Sequence, residues 1–139
     1  GTVLPESDLL FVYGTLRRDC RHSMHCLMEA AASFAGYATW RGRIYDAGSY
    51  PVAVPSDDET DLVLGELYRL ANREVVLPEL DRYEGCFPDD PEGSAYCRSV
   101  EHVRTEDGTV HRAWMYLYSR PVEGMTRIAD GDYVKYVRP

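Results

Sequence analysis

The chain opens its patterned part with an unbroken apolar run at residues 9–13, Leu-Leu-Phe-Val-Tyr, stopped by Gly14, which predicts a short strand buried on both faces. Met24, Leu27, Met28 and Ala31 recur at helical spacing within residues 21–32, with Gly36 soon after, and predict one helix. Residues 34–54 are rich in Tyr, Trp, Val and Ile and broken by Gly36, Gly42, Gly48 and Pro51, as in strands that bend or bulge at glycines. Residues 56–59 form a polar turn, and 62–70 alternate as a further strand expected to pair with the preceding one.

Asn72 is placed to cap a helix over residues 73–83, bent at Pro78, which suits a first turn better than an interior, and closed by Gly85. A polar loop with Pro88, Pro91 and Gly93 follows. Runs at 96–104 and 109–118 flank Glu106-Asp107-Gly108, and an Asp-Gly turn between strand-like runs predicts a hairpin. Residues 121–139 read as loop with one short element. Strands dominate and helices are few, so the expected fold is α+β, a small mixed or antiparallel β-barrel with few flanking helices.

A length of 139 residues suits one domain, assigned to 9–139, with 1–8 as a polar tail, disordered or left by cloning, since Gly1 stands where a Met would start the chain. The formal net charge of −8 and the scattered basic residues argue against nucleic acid as a partner. No apolar run approaches the roughly 20 residues a membrane helix needs, so neither a membrane nor a secretory route is expected and a cytoplasmic location is the default. Cys20, Cys26, Cys86 and Cys97 are then expected as reduced thiols. Cys20, His22, His25 and Cys26 look like a metal cluster, but four ligands in one short helical stretch cannot converge tetrahedrally, so no metal is expected.

Two segments could carry chemistry. The loop Tyr13-Gly14-Thr15-Leu16-Arg17 lies at the carboxyl end of the first strand, where Gly14, lacking a Cβ, lets the chain turn and present backbone N–H groups to a small anion. Glu84 ends Leu-Asp-Arg-Tyr-Glu-Gly at 80–85, beside Tyr83, Cys86 and Phe87. The negative pole of the helix and desolvation by these neighbours both raise its pKa, which suits a general base. The plainer reading makes Glu84 a solvated helix-end residue. Tyr50, Tyr96 and Tyr118 are candidates for a pocket lining and equally for ordinary core positions.

The strings Phe-Val-Tyr-Gly-Thr-Leu-Arg at 11–17 and Leu-Asp-Arg-Tyr-Glu-Gly at 80–85 resemble the two signature segments of the γ-glutamylcyclotransferase-like, or AIG2-like, family. Gly-Arg-Ile-Tyr-Asp at 42–46, Gly-Glu-Leu-Tyr at 65–68, Tyr-Cys-Arg at 96–98 and Leu-Tyr-Ser at 117–119 follow in that family's order, so the resemblance covers nearly the whole chain. It implies a small mixed barrel and a cofactor-independent enzyme. Its substrate would be a γ-glutamyl compound whose α-amine attacks its own γ-carbonyl, giving 5-oxoproline and a released amine. It implies Glu84 as the general acid/base and Tyr13, Gly14, Thr15 and Leu16 as the substrate-binding loop, and the candidate lining tyrosines Tyr50 and Tyr118 are counted with that loop as substrate-binding. The Thr15-Leu16 form of the loop resembles the branch acting on γ-glutamylamines. Asp19, where many relatives have Gly, and Tyr133, where Trp is frequent, depart from the pattern and bear on the outer pocket. The competing reading keeps the pocket and drops the reaction, leaving a protein that only binds a small carboxylate or amine. The sequence does not specify an oligomeric state.

Overall fold

The structure, a computed structural model, describes residues 8–14, 31–48 and 50–137. Strand β1 (Leu9–Val12) is followed by β2 (Ala32–Asp46), β3 (Pro51–Pro55) and β4 (Leu62–Leu70). Helix α1 (Arg73–Glu84) leads to β5 (Tyr96–Thr105) and β6 (Val110–Tyr118), then β7 (Thr126–Arg127) and helix α2 (Tyr133–Val137). The helix expected at 21–32 lies almost entirely outside the described residues, as do Thr15, Leu16 and the Cys20–Cys26 cluster. Of the expected tail, residues 1–7 lie outside as well, while the Asp8 carbonyl accepts the Leu70 N–H at 2.7 Å.

Five strands close a ring in the order β2, β4, β1, β6, β5, which returns to β2 through pairing of Ala38–Trp40 with Val103–Thr105. The pairs within it are antiparallel except β1 with β6, so the barrel is mixed, as the sequence suggested. One long strand serves both barrel and ribbon: β2 pairs with β4 as far as Arg41, with a register shift between Phe34 and Gly36, and with β3 from Gly42 onward. Its first part joins the ring and its second carries β3 on one side and β7 on the other. The strand at 62–70 therefore pairs with β2 and β1 rather than with the immediately preceding β3.

Alternation divides the core. Phe11 of β1 and Tyr13 just after it, Trp40 of β2, Leu67 of β4, Val103 of β5 and Met115 of β6 form one cluster inside the ring. Leu10 and Val12 point the other way and join Val76, Leu77 and Leu80 of α1 in a second cluster outside it. This is why β1 is apolar throughout.

Helix α1 runs unbroken through Pro78, which removes the N–H that would bond the Glu74 carbonyl. An internal Pro costs about 3 kcal/mol, whereas burying Val76, Leu77 and Leu80 returns roughly 1.5–3 kcal/mol each, so packing wins. Asn72 makes no side-chain cap; its carbonyl accepts the N–H groups of Val75 and Val76 instead. The hairpin at Asp107-Gly108 forms as expected, and the carboxyl-terminal segment holds two short elements, β7 and α2, rather than one. No helix among the described residues is long and apolar enough to cross a membrane.

Candidate active site

The parallel pairing of β1 with β6 sends both strands to the same edge of the barrel, so Tyr13 and Gly14 emerge beside the end of β6. Helix α1 is delivered to that edge by its terminus. Gly85 adopts the left-handed conformation (φ 72°), and Cys86 N–H returns to the Asp81 carbonyl at 2.8 Å. The next links are Ala95 N–H to the Gly85 carbonyl at 3.2 Å and Ser119 N–H to the Ala95 carbonyl at 3.0 Å, which pin the helix end to β5 and β6. A cavity of about 360 Å³ results, lined among others by Tyr13, Gly14, Tyr50, Tyr83, Glu84 and Tyr116. Loop and acid, 70 positions apart from Gly14 to Glu84, share one wall.

Gly14 meets a different need from the one its sequence context suggests. Its φ is not positive, but a Cβ there would stand 2.6 Å from Pro51 Cγ, so glycine is required for the close approach of this segment to the start of β3. Pro51 in turn lines the cavity, and its carbonyl accepts the Tyr96 hydroxyl at 2.8 Å.

Glu84 keeps part of its surface toward the cavity, yet protein atoms enclose it on the other sides, and this burial pushes its carboxyl from 4.5 up to about 7. The cause is desolvation; among the described residues no hydrogen bond or ion pair reaches the carboxylate. A carboxyl poised near neutral pH can both accept and return a proton.

The surrounding tyrosines complete the electrostatics. Tyr13 Oη donates to the Tyr116 carbonyl at 2.5 Å, Tyr96 Oη to the Pro51 carbonyl, and Tyr116 Oη to Asp81 Oδ1 at 2.6 Å. Burial raises the pKa of all three, reinforced by Glu84 at Tyr96, by Tyr96 and then Glu84 at Tyr13, and by the Asp81 carboxylate at Tyr116, so each keeps its proton at neutral pH. A phenol has one proton, and here each is committed to a protein acceptor. What these hydroxyls can still offer a ligand is lone pairs, which suits a donor such as an ammonium group.

Of the residues expected at the site, Glu84, Tyr13, Gly14 and Tyr50 line the cavity, with Tyr50 at its mouth, 43% exposed. Tyr96 lines it too. Tyr118 is not among the lining residues; its ring packs edge-on against Tyr96 at 5.6 Å. Sequence reasoning missed Tyr116, Tyr83 and Pro51. Tyr116 was within reach, because two-residue alternation puts it on the same face as Tyr118. Cys86 is a buried free thiol and Cys97 an exposed one.

The family model for gamma-glutamyl cyclotransferase, AIG2-like, matches residues 10–135. The chain is 36% identical over 125 residues to the gamma-glutamylcyclotransferase family protein ytfP of Citrobacter rodentium, spanning 90% of this chain and 94% of that protein. The solution structure of ytfP from Escherichia coli superposes with a TM-score of 0.62 at 33% identity, covering 93% of this chain and 98% of the other. An AIG2-like protein from Mus musculus superposes with a TM-score of 0.64 at 26% identity, covering 81% and 77%.

Proposed function

We propose that this chain, which belongs to the gamma-glutamyl cyclotransferase, AIG2-like family, converts a γ-glutamyl amine into 5-oxoproline and a free amine. Glu84 is the group that moves the proton. The observation that carries this reading is that Glu84 and the Tyr13-Gly14 segment line one cavity.

The substrate's α-ammonium must lose a proton before its nitrogen can attack. With Glu84 near 7 and an α-amine near 8, the proton moves against a gap of about one unit, or about 1.4 kcal/mol. An ordinary carboxyl at 4.5 would face about 3.5 units, close to 5 kcal/mol. Burial of Glu84 thus removes between 3 and 4 kcal/mol, roughly, from this step. The freed amine attacks the γ-carbonyl, a ring C–N bond forms and the bond to the leaving nitrogen breaks. Glu84 returns its proton to that nitrogen, the ring nitrogen then sheds its second proton by the same route, and the amine leaves as an ammonium ion, so no water, metal or cofactor enters the balance. Nucleophile and electrophile lie in one molecule, and holding them in the cyclising conformer supplies up to about 7–11 kcal/mol. Lone pairs of the tyrosine hydroxyls and the Glu84 carboxylate receive the ammonium, and the Tyr13-Gly14 segment is the part of the lining expected to hold the α-carboxylate or the oxyanion.

The amine class follows from the Thr15-Leu16 form of the loop and from the cavity lining. Among the described lining residues there is no Lys, Arg or His to pair with the second carboxylate of a γ-glutamyl amino acid. Incubation with a panel of γ-glutamyl amines, γ-glutamyl amino acids and glutathione, with 5-oxoproline as readout, is expected to show product from the amines first. No 5-oxoproline from any member of the panel would sink the reading.

A further inference from the structure

Helix α1 brings two carboxylates to this edge of the barrel, three residues apart, in opposite circumstances. Glu84 faces the cavity without a partner among the described residues. Asp81 is 5% exposed and fully engaged. Arg98 Nε and Nη2 donate to its two oxygens at 2.7 and 3.1 Å, and Tyr116 Oη donates to Oδ1 at 2.6 Å. Arg98 also lies over the Trp114 ring, 4.5 Å from its centroid. The Asp81 carbonyl closes the helix end by accepting Cys86 N–H, and the Tyr116 carbonyl holds the Tyr13 hydroxyl. One side chain therefore ties α1 to β5 and β6, and through Tyr116 to the residue that follows β1.

A buried ion pair adds little net stability, because desolvating two charges offsets most of their attraction. Its specific contribution is direction: a two-pronged guanidinium–carboxylate contact fixes rotation as well as distance. From this juxtaposition we propose that the Asp81–Arg98 pair is a positioning unit for the site. It clamps the last turn of α1 against β5 and β6 so that Glu84 stays shielded from water, and it commits the Tyr116 proton away from the ligand. The groups facing Glu84 are Tyr13 after β1, Tyr50 before β3, Tyr96 of β5, Tyr116 of β6 and its own neighbour Tyr83. No second carboxylate or cation among the described residues lines the cavity with it.

This inference rests on reading Glu84 as the proton carrier, but its test does not require turnover. The titration of the Glu84 carboxyl is followed by carbon NMR in wild type, Asp81→Asn and Arg98→Met. The two substitutions change local charge in opposite senses. Were the pair acting only through its charges, the titration would fall in Asp81→Asn and rise in Arg98→Met. A loosened clamp admits water in both, so both are expected to fall from near 7 toward 4.5, by roughly one unit or more. The acid limb of kcat/KM follows the same shift, and kcat drops on the order of 10²-fold from misplacement. Opposite shifts, or none, overturn the proposal. Should either variant fail to fold, Tyr116→Phe decides, since it releases one partner of Asp81 without changing charge; a Glu84 titration left at the wild-type position overturns it. A wild type that makes no 5-oxoproline sinks the proposed reaction and leaves this titration test standing.

Discussion

Two carboxylates divide the polar interior of this protein into regions with opposite logic. At the corner where β2, β3 and β7 meet, Asp61 is 8% exposed and surrounded by donors. Ser56 Oγ, Arg43 Nε and Arg127 Nη2 donate to it at 2.6, 2.7 and 2.6 Å, and together they hold its carboxyl well below the usual range. At the cavity, Glu84 keeps more of its surface accessible yet is pushed up to about 7, because enclosure, with no donor to it among the described residues, favours the neutral form. Surface exposure alone ranks the two the wrong way round. What separates them is partners: a carboxylate given donors becomes a fixed charge that joins strands, whereas one denied them stays able to exchange a proton.

The strongest way to break the comparison is to remove each charge and measure turnover. Glu84→Gln keeps the shape of the side chain and is expected to lower kcat by 10²–10⁴-fold, roughly the worth of positioned proton transfer, and to abolish the acid limb near pH 7. Asp61→Asn, assayed per folded molecule, leaves both intact. Equal losses in the two variants would mean that the division into a joining and an exchanging carboxylate is wrong.

Stability gives the second contrast, with opposite signs. The folded pKa of Glu84 lies above its unfolded value, so the neutral form stabilises the fold below about pH 4.5 and that contribution is lost as pH rises through about 7. Glu84→Gln avoids the loss and is expected to be more stable than wild type at pH 8 by up to about 3 kcal/mol, with the gain gone near pH 4. Asp61 has a depressed pKa, so its contribution is present above the ordinary aspartate value and is lost as pH falls through the lower folded one. Asp61→Asn should be less stable than wild type at pH 7, and the gap should narrow in strong acid. Urea denaturation of the three proteins across pH checks both signs.

Much of this was legible from the chain. Apolar runs and alternation located β1, β4 and the β5–β6 hairpin, and the Leu-Asp-Arg-Tyr-Glu-Gly string marked the acid. The barrel was expected, but the pairing that closes it was not legible, because it depends on β2 pairing with β4 and β5 at once, a non-local choice that no local pattern encodes. The raised pKa of Glu84 was anticipated from two causes, helix end and burial, and burial is the one that acts. Asp81 stood unread inside the signature string. A charged residue on the apolar face of a helix, next to Leu80, signals a buried partner, yet Arg98 lies 17 positions away and only the fold brings it in.

The smallest expected effect tests how firmly the helix end under Glu84 is built. Gly85 holds a φ of 72°, and a Cβ there would meet nothing within 4 Å, so any cost of substitution is conformational rather than steric crowding. Gly85→Ala should therefore destabilise by about 1 kcal/mol, the usual left-handed penalty, seen as a lower urea midpoint at unchanged slope. Asn tolerates the left-handed region better than Ala, so Gly85→Asn should recover part of the loss. The cavity should register the change and the Asp61 corner should not, because Gly85 links α1 to Ala95, just before β5, whereas the Asp61 side chain is held by Arg43, Ser56 and Arg127. A loss in Gly85→Ala as large as a core truncation, or full stability in Gly85→Ala with none regained in Gly85→Asn, would show that something other than the left-handed cap sets the end of the helix that carries Glu84.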